Sequence, residues 1–260
     1  MYIDNLRNHK KFESDILIKF SEEKHIDSLA LGNIYTNNFD YFIELEKQSK
    51  IKGIGDKDEL ALKIVSINIK KIERIDNIET DINKQIFDKS IKEIFKDTKS
   101  ELRVESSEYD KKTPLFCTMR ISKNELLEKK GLIFSKEEIQ SLKKDFEKYT
   151  HALIIDENGF KERIHKYCKN NNIDVIMGCV KYSNSKINEL EEIKDFDTYK
   201  RAFWKDDSFE KQKEFRVVFM SERINQGKNL INIGDLSDIS LKIRKEDIFN
   251  ERFKLELNEV

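Results

Sequence analysis

The sequence predicts an α+β fold with a mixed, mainly antiparallel sheet flanked by short helices and interrupted by a charged insertion. Three observations carry this. Strand-like apolar runs outnumber helical stretches and recur at uneven spacing, unlike the regular alternation of a parallel α/β domain. The clearest of them, Phe215 to Phe219, follows a charged approach and reads as a buried strand. Charged and apolar residues each make up 38% of the 260 residues, so a densely charged surface coexists with enough apolar material for one domain over 1–260.

Taken in order, Asp15 to Phe20 is the first strand, apolar between polar flanks. Ser21 is placed to cap a short helix that carries Ile26, Leu29 and Ala30 on one side and ends near Gly32. Asn33 to Thr36 reads as a brief strand, and Phe39, Phe42 and Ile43 fall at helical spacing after it. From Leu60 to Ile75 apolar and polar residues alternate, as in one long strand or a bent pair. Residues 77–112, rich in Lys, Asp and Glu, read as an exposed insertion, helical or a hairpin.

Leu115 to Ile121 is again a strand, and Lys123 to Lys130 a short helix. Ser135 with Glu138 three residues on forms a capping box, leading a helix whose inner face is Ile139, Leu142 and Phe146. His151 to Asp156, a helix from about Gly159 to Asn170, and Ile173 to Tyr182 make the most α/β-like passage. Residues 184–208 form a long acidic connection. Leu230 to Ile233, Ile239 to Ile243 and Phe253 to Leu257 close the chain as a β-rich tail.

Composition narrows the function classes. Forty-nine basic residues against fifty acidic ones give a formal net charge of -1, which offers no global pull toward nucleic acid or an anionic membrane and leaves only a local patch. No apolar run reaches the roughly 18 residues of a membrane helix, and the N-terminus lacks the layout of a signal peptide. Three cysteines, Cys117, Cys168 and Cys179, are widely spaced without a CxxC pair, so the expected home is a reducing cytoplasm. Cys117 and Cys179, inside apolar strands, read as core thiols. The four histidines, His9, His25, His151 and His165, show no metal-ligand spacing. No metal site and no cofactor are expected from these patterns.

Three clusters stand out. Gly53-Ile54-Gly55-Asp56 ahead of Glu59 is either a phosphate- or metal-facing loop or a tight turn with solvated acids. Glu214 and Arg216, two apart on a strand, share one face and form either an internal ion pair or part of a site. Tyr199, Phe203, Trp204 and Phe209, interleaved with Lys200, Arg201 and Lys205, cover the sheet, stack on a base, or make an aromatic hot spot for a partner.

Two blocks together resemble a loosely defined family of uncharacterised bacterial and prophage proteins. The first block comprises Ile18-Lys19-Phe20, Gly32-Asn33-Ile34-Tyr35 and Gly55-Asp56 with Glu59. The second comprises Gln212 and Glu214-Phe215-Arg216. The family carries an early Gly-Asp-x-x-Glu block and a late Gln-x-Glu-Phe-Arg strand. The resemblance covers about a third of the chain and implies a common fold and a mobile-element setting, with no activity attached.

The leading functional expectation is an interaction protein of a phage or mobile element. It would bind and inhibit a host or rival bacterial protein, as in counter-defence, through Tyr199, Phe203, Trp204 and Phe209; an oligomer is compatible with it. The alternative is an enzyme acting on a nucleotide or nucleic acid through Asp56, Glu59, Glu214 and Arg216, with the acids holding Mg²⁺ or serving as general base. Geometry separates the two: the enzyme reading needs Asp56 or Glu59 close to Glu214 in one pocket.

Overall fold

The computed structural model describes residues 12, 14–49, 56, 58–65, 101–184, 190–220, 229–250 and 253–255. Its centre is an antiparallel sheet of eight strands. These are β1 (Ile16–Ser21), β2 (Asn33–Asn38), β5 (Pro114–Ile121), β6 (His151–Asp156), β7 (Asp174–Cys179), β10 (Glu214–Met220), β11 (Asn229–Asn232) and β12 (Ser240–Arg244). A separate hairpin pairs β3 (Ala61–Val65) with β4 (Glu101–Glu105), and the short strands β8 (Lys181–Ser183) and β9 (Trp204–Asp206) pair in parallel. Short helices cover the sheet, so the α+β expectation with mainly antiparallel pairing holds.

Period-2 alternation sorts the core into two faces. On one face Ile16, Ile18 and Phe20 of β1 pack with Met119, Ile121 and Ile154. Three helices close over them, α4 (Lys123–Glu128), α5 (Lys136–Asp145) and α8 (Lys245–Ile248), through Leu126, Ile139, Leu142 and Ile248. On the other face Leu17, Leu153, Phe215 and Val217 lie under α1 (Glu23–Ala30) and α6 (Glu157–Asn171). The predicted capping box is formed: the Ser135 hydroxyl accepts from the Glu138 N–H, and the Glu138 carboxylate accepts from the Ser135 N–H at 2.8 Å. Among the described residues no helix is long and apolar enough to cross a membrane.

Several expectations need correction. Ser21 ends β1 and does not cap α1; Glu22 holds the cap position without a side-chain bond. The stretch Ile173 to Tyr182 splits into β7, which pairs with β10, and β8, which leaves β10 after the Val180 N–H bond to the Glu214 carbonyl and pairs with β9. The 184–208 connection contains α7 (Leu190–Asp195), a 3-10 turn at Tyr199–Phe203, and β9. Of the 77–112 insertion, β4 and α3 (Glu108–Lys111) are described, with β4 fixed on β3; residues 77–100 lie outside the described residues, as do 66–75 of the preceding alternation. Within Phe253 to Leu257 the described part makes a single bridge, Lys254 to Leu132. Cys179 is exposed at the end of β7, whose only described partner is β10, so it is not a core thiol; Cys168, on the buried face of α6, is.

The feature that shapes the molecule is a fork at β5. On one side β5 pairs with β10 over Leu115 to Met119. On its other side it pairs with two strands, β1 at Met119 to Ile121 and β2 at Pro114 and Leu115. Between them β1 swings away to follow β6 and β2 leaves toward α2 (Phe39–Ser49), so the sheet opens at Phe116 to Thr118. Thr118, where the strands part, has a buried hydroxyl with no partner among the described residues.

The start of β2 depends on Gly32. It sits at φ +84°, and a Cβ there would come 1.9 Å from the Gly234 carbonyl oxygen. Gly32→Ala therefore meets backbone strain of about 1–2 kcal/mol before any clash is counted. We expect it to lower the urea midpoint clearly, with Gly234→Ala as the milder companion because open space surrounds that position.

Candidate functional site

The site is built on β10 and the fork beside it. Alternation puts Glu214 and Arg216 on the same face of β10, opposite Met119 and Cys117 of β5. Arg216 is 1% exposed and is held from several directions. Its Nε donates to Glu214 Oε1 at 2.7 Å. Its two terminal nitrogens reach the two Glu59 oxygens at 2.7 and 3.1 Å, and one also donates to the Ala202 carbonyl at 2.6 Å. The guanidinium lies over the Phe39 ring, 5.7 Å from its centroid. Such a fork-to-fork pairing, with four of the five N–H groups engaged, is the arrangement in which burial of a guanidinium is tolerable.

Lys205 completes the network. Its ammonium donates to Glu214 Oε2 at 2.9 Å and sits over the Phe209 ring at 4.4 Å. The Glu214 carboxyl, between Arg216 and Lys205, is held well below the usual carboxylate range, and Lys205 is raised in return by Glu214 and Glu59. The Glu214 N–H donates to the Tyr182 hydroxyl at 2.8 Å, whose own pKa burial pushes up to about 12.

Asp56 lies alongside, also buried. Its Oδ1 accepts from the Asp58 N–H at 2.9 Å, and its carbonyl accepts from the Glu59 N–H at 3.1 Å, so a tight turn presents both acids inward. Burial first, and then the neighbouring Glu59 charge, raise the Asp56 carboxyl from 3.8 to about 7. A proton held near neutral pH on a buried carboxyl is the signature of an acid–base group.

These residues line a cavity of about 130 Å³ whose walls include Phe42, Phe146 and Tyr149. The four acid-site residues read from the sequence thus converge: Asp56, Glu59, Glu214 and Arg216 line one cleft, with Arg216 bridging Glu59 to Glu214. Gly53 and Gly55 lie outside the described residues. The aromatic set behaves differently. Phe203, Trp204 and Phe209 are 8%, 7% and 6% exposed, and only Tyr199, at 53%, is free to meet a partner. Trp204 donates its indole N–H to Asp195 at 3.1 Å, and Phe203 packs against Leu115 and Val218. As a docking surface the cluster is therefore corrected: three of its four rings cover the sheet beside Arg216.

The protein-family models, the curated proteins and the solved structures, each searched for likeness to this chain, give no match.

For two residues, Lys205 and Lys19, the sequence did not indicate a place in the acid-lined cleft. Lys205 gave no signal beyond its place next to Trp204. Lys19 did give one, as the lone charge in the apolar run Ile16 to Phe20. It lies at the fork, where its ammonium donates to the Cys117 carbonyl at 2.7 Å and sits 4.8 Å from the Phe116 ring centroid. No carboxylate among the described residues is within ion-pair distance of it, and burial lowers its pKa. The thiols offer no nucleophile: burial raises Cys117 and Cys179, and Cys168 to about 11. Among the described residues no group of three or more His, Cys, Asp or Glu is placed to hold a metal ion.

Proposed function

We propose that the chain is an enzyme that acts on a small molecule in the fork cleft by general acid–base chemistry, with Asp56 giving and taking the proton. The observation that carries the reading is a carboxyl poised at about 7 in a cleft, next to a buried charge network that fixes its surroundings. Glu59 and Arg216 act as positioning residues. Glu59 keeps negative charge beside Asp56 and so keeps its proton on, and Arg216 locks Glu59 in place.

A Mg²⁺ ion bound by Glu59 and Glu214 would compete with Arg216 and Lys205 for the same oxygens, so the geometry favours proton transfer over metal-assisted chemistry. The interaction role expected from the aromatic cluster has three of its four anchors buried, and no observation favours it over the cleft.

The direct test is ¹³C NMR titration of the Asp56 carboxyl. A midpoint near pH 7 is expected; one near 4 would remove the basis of the proposal. A panel of small esters, phosphoesters and nucleosides then supplies a turnover assay. Asp56→Asn is expected to reduce the rate about 10²- to 10⁴-fold, the usual contribution of a general base. Activity retained within about tenfold of wild type would rule out the role given to Asp56.

A further inference from the structure

The cleft has a second arm of opposite character. It runs from the same fork between α1 and α2, encloses about 490 Å³, and shares Lys19, Phe20, Phe42 and Tyr149 with the acid-lined arm. The acid-lined arm presents Asp56, Glu59, Asp145 and Glu214. In the second arm no aspartate or glutamate is among the described lining residues, although acids outnumber bases in the chain as a whole. Its charged and titratable lining is Lys19, Lys148 and His25, besides tyrosines.

Aromatic rings form its two walls. On one side Tyr41 and Phe42 of α2 meet edge to face, centroids 5.4 Å apart. On the other stands Tyr149, backed by Phe146 at 6.1 Å; Phe20 lies behind, its ring stacked on Phe146 at 4.3 Å and on Phe249 at 5.4 Å. Tyr41 and Tyr149 both line the arm. At the junction of the arms stands Lys19, with one hydrogen bond, to the Cys117 carbonyl; Glu214 is the acid whose charge reaches it, without a direct ion pair.

Aromatic walls beside a buried ammonium that no carboxylate contacts directly suit a ligand with a planar ring and an anionic oxygen. We propose that this arm holds a mononucleotide, its base between the Tyr41–Phe42 pair and Tyr149 and its phosphate on the Lys19 ammonium. Stacking on aromatic faces holds the base, and a charge-assisted bond from lysine to phosphate adds to it. The volume suits a drug-sized ligand and not an extended strand, and a chain with net charge -1 offers no long basic track for successive phosphates. The inference rests on the proposed acid–base site, since it supplies the substrate class for the same cleft. It places the sugar or the bond to be broken toward Asp56.

Calorimetric titration of the full chain with the common ribonucleoside monophosphates, their nucleosides and a short oligothymidylate tests the idea. At least one monophosphate is expected to bind, with its nucleoside about tenfold or more weaker. Lys19→Met is expected to weaken monophosphate binding about 10- to 100-fold and to leave nucleoside binding nearly unchanged. Tyr41→Ala, at a half-exposed position that the fold does not need, is expected to weaken both. No monophosphate binding by folded protein at about 1 mM overturns the proposal. So does binding that neither substitution alters, and so does an oligonucleotide preferred by more than about tenfold. Asp56→Asn separates the two readings: it is expected to bind monophosphate like wild type, so binding without turnover overturns the acid–base role alone.

Discussion

Replacing Arg216 by methionine is expected to lower the unfolding free energy by about 3–5 kcal/mol, the cost of leaving buried charges without their partner. Methionine fills much of the space of the guanidinium stem, so the effect isolates charge. Glu59 loses both of its guanidinium bonds, and Glu214 keeps only Lys205. The loss has a pH signature. Glu214 has a folded pKa held below its ordinary value of 4.5, so its ionised form stabilises the protein above that pH and the contribution disappears as pH falls through the folded value. Removing Arg216 takes away the larger part of this benefit and leaves the Lys205 part, so variant and wild type should draw together toward acid pH and differ most near neutrality. Equilibrium urea unfolding at several pH values measures it. Arg216→Lys keeps the charge but loses the paired bonds to Glu59, and is expected to fall between the two. A methionine variant as stable as wild type at pH 7 would mean that the network does not hold the cleft floor.

Asp56→Asn is expected to do the opposite: to stabilise the protein while abolishing turnover. Here the folded pKa is raised, from 3.8 to about 7. Below 3.8 both folded and unfolded chains carry the proton and the group is neutral to stability. Between 3.8 and about 7 the unfolded chain ionises while the folded one does not, so stability falls as pH rises across that window. Above it the full penalty is in place, with a ceiling of about 4 kcal/mol that local relaxation reduces to about 2 kcal/mol. Asparagine keeps the oxygen that accepts from the Asp58 N–H and carries no charge. The gain in stability over wild type should therefore be near zero at pH 4 and about 2 kcal/mol at pH 8. A stabilising substitution that removes activity is the mark of a residue retained for chemistry at the expense of folding. Equal stability of the two proteins at pH 8 would argue that Asp56 is not held against its own ionisation.

The parts legible in the sequence are those governed by short-range periodicity. The 215–219 strand, the shared face of Glu214 and Arg216, and the Ser135 capping box follow from residues two or three apart. The convergence on Glu59 depends on a turn and a strand separated by 157 positions, and no local pattern encodes that distance. The aromatic cluster was ambiguous because Phe203, Trp204 and Phe209 have the same composition whether they cover a core or wait for a partner; only packing against Leu115 and Val218 and the Asp195 bond distinguish the two. The fork was invisible for a further reason. Each of β1, β2 and β5 reads as an ordinary strand, and nothing in any of them announces that two would share one edge of the third.

A sheet ordinarily offers free backbone groups along its rims. Here the stretch Phe116 to Thr118 of β5 has no described strand partner on the side away from β10. The Arg120 N–H donates to Lys213 on the β10 side, so alternate residues, Cys117 among them, turn their amides the other way, between the departures of β1 and β2. Lys19 takes the Cys117 carbonyl. The amide hydrogen of the same residue points into the wedge, fixed by the ladder on both sides, where a guest molecule would meet a rigid main-chain donor that no side-chain substitution removes.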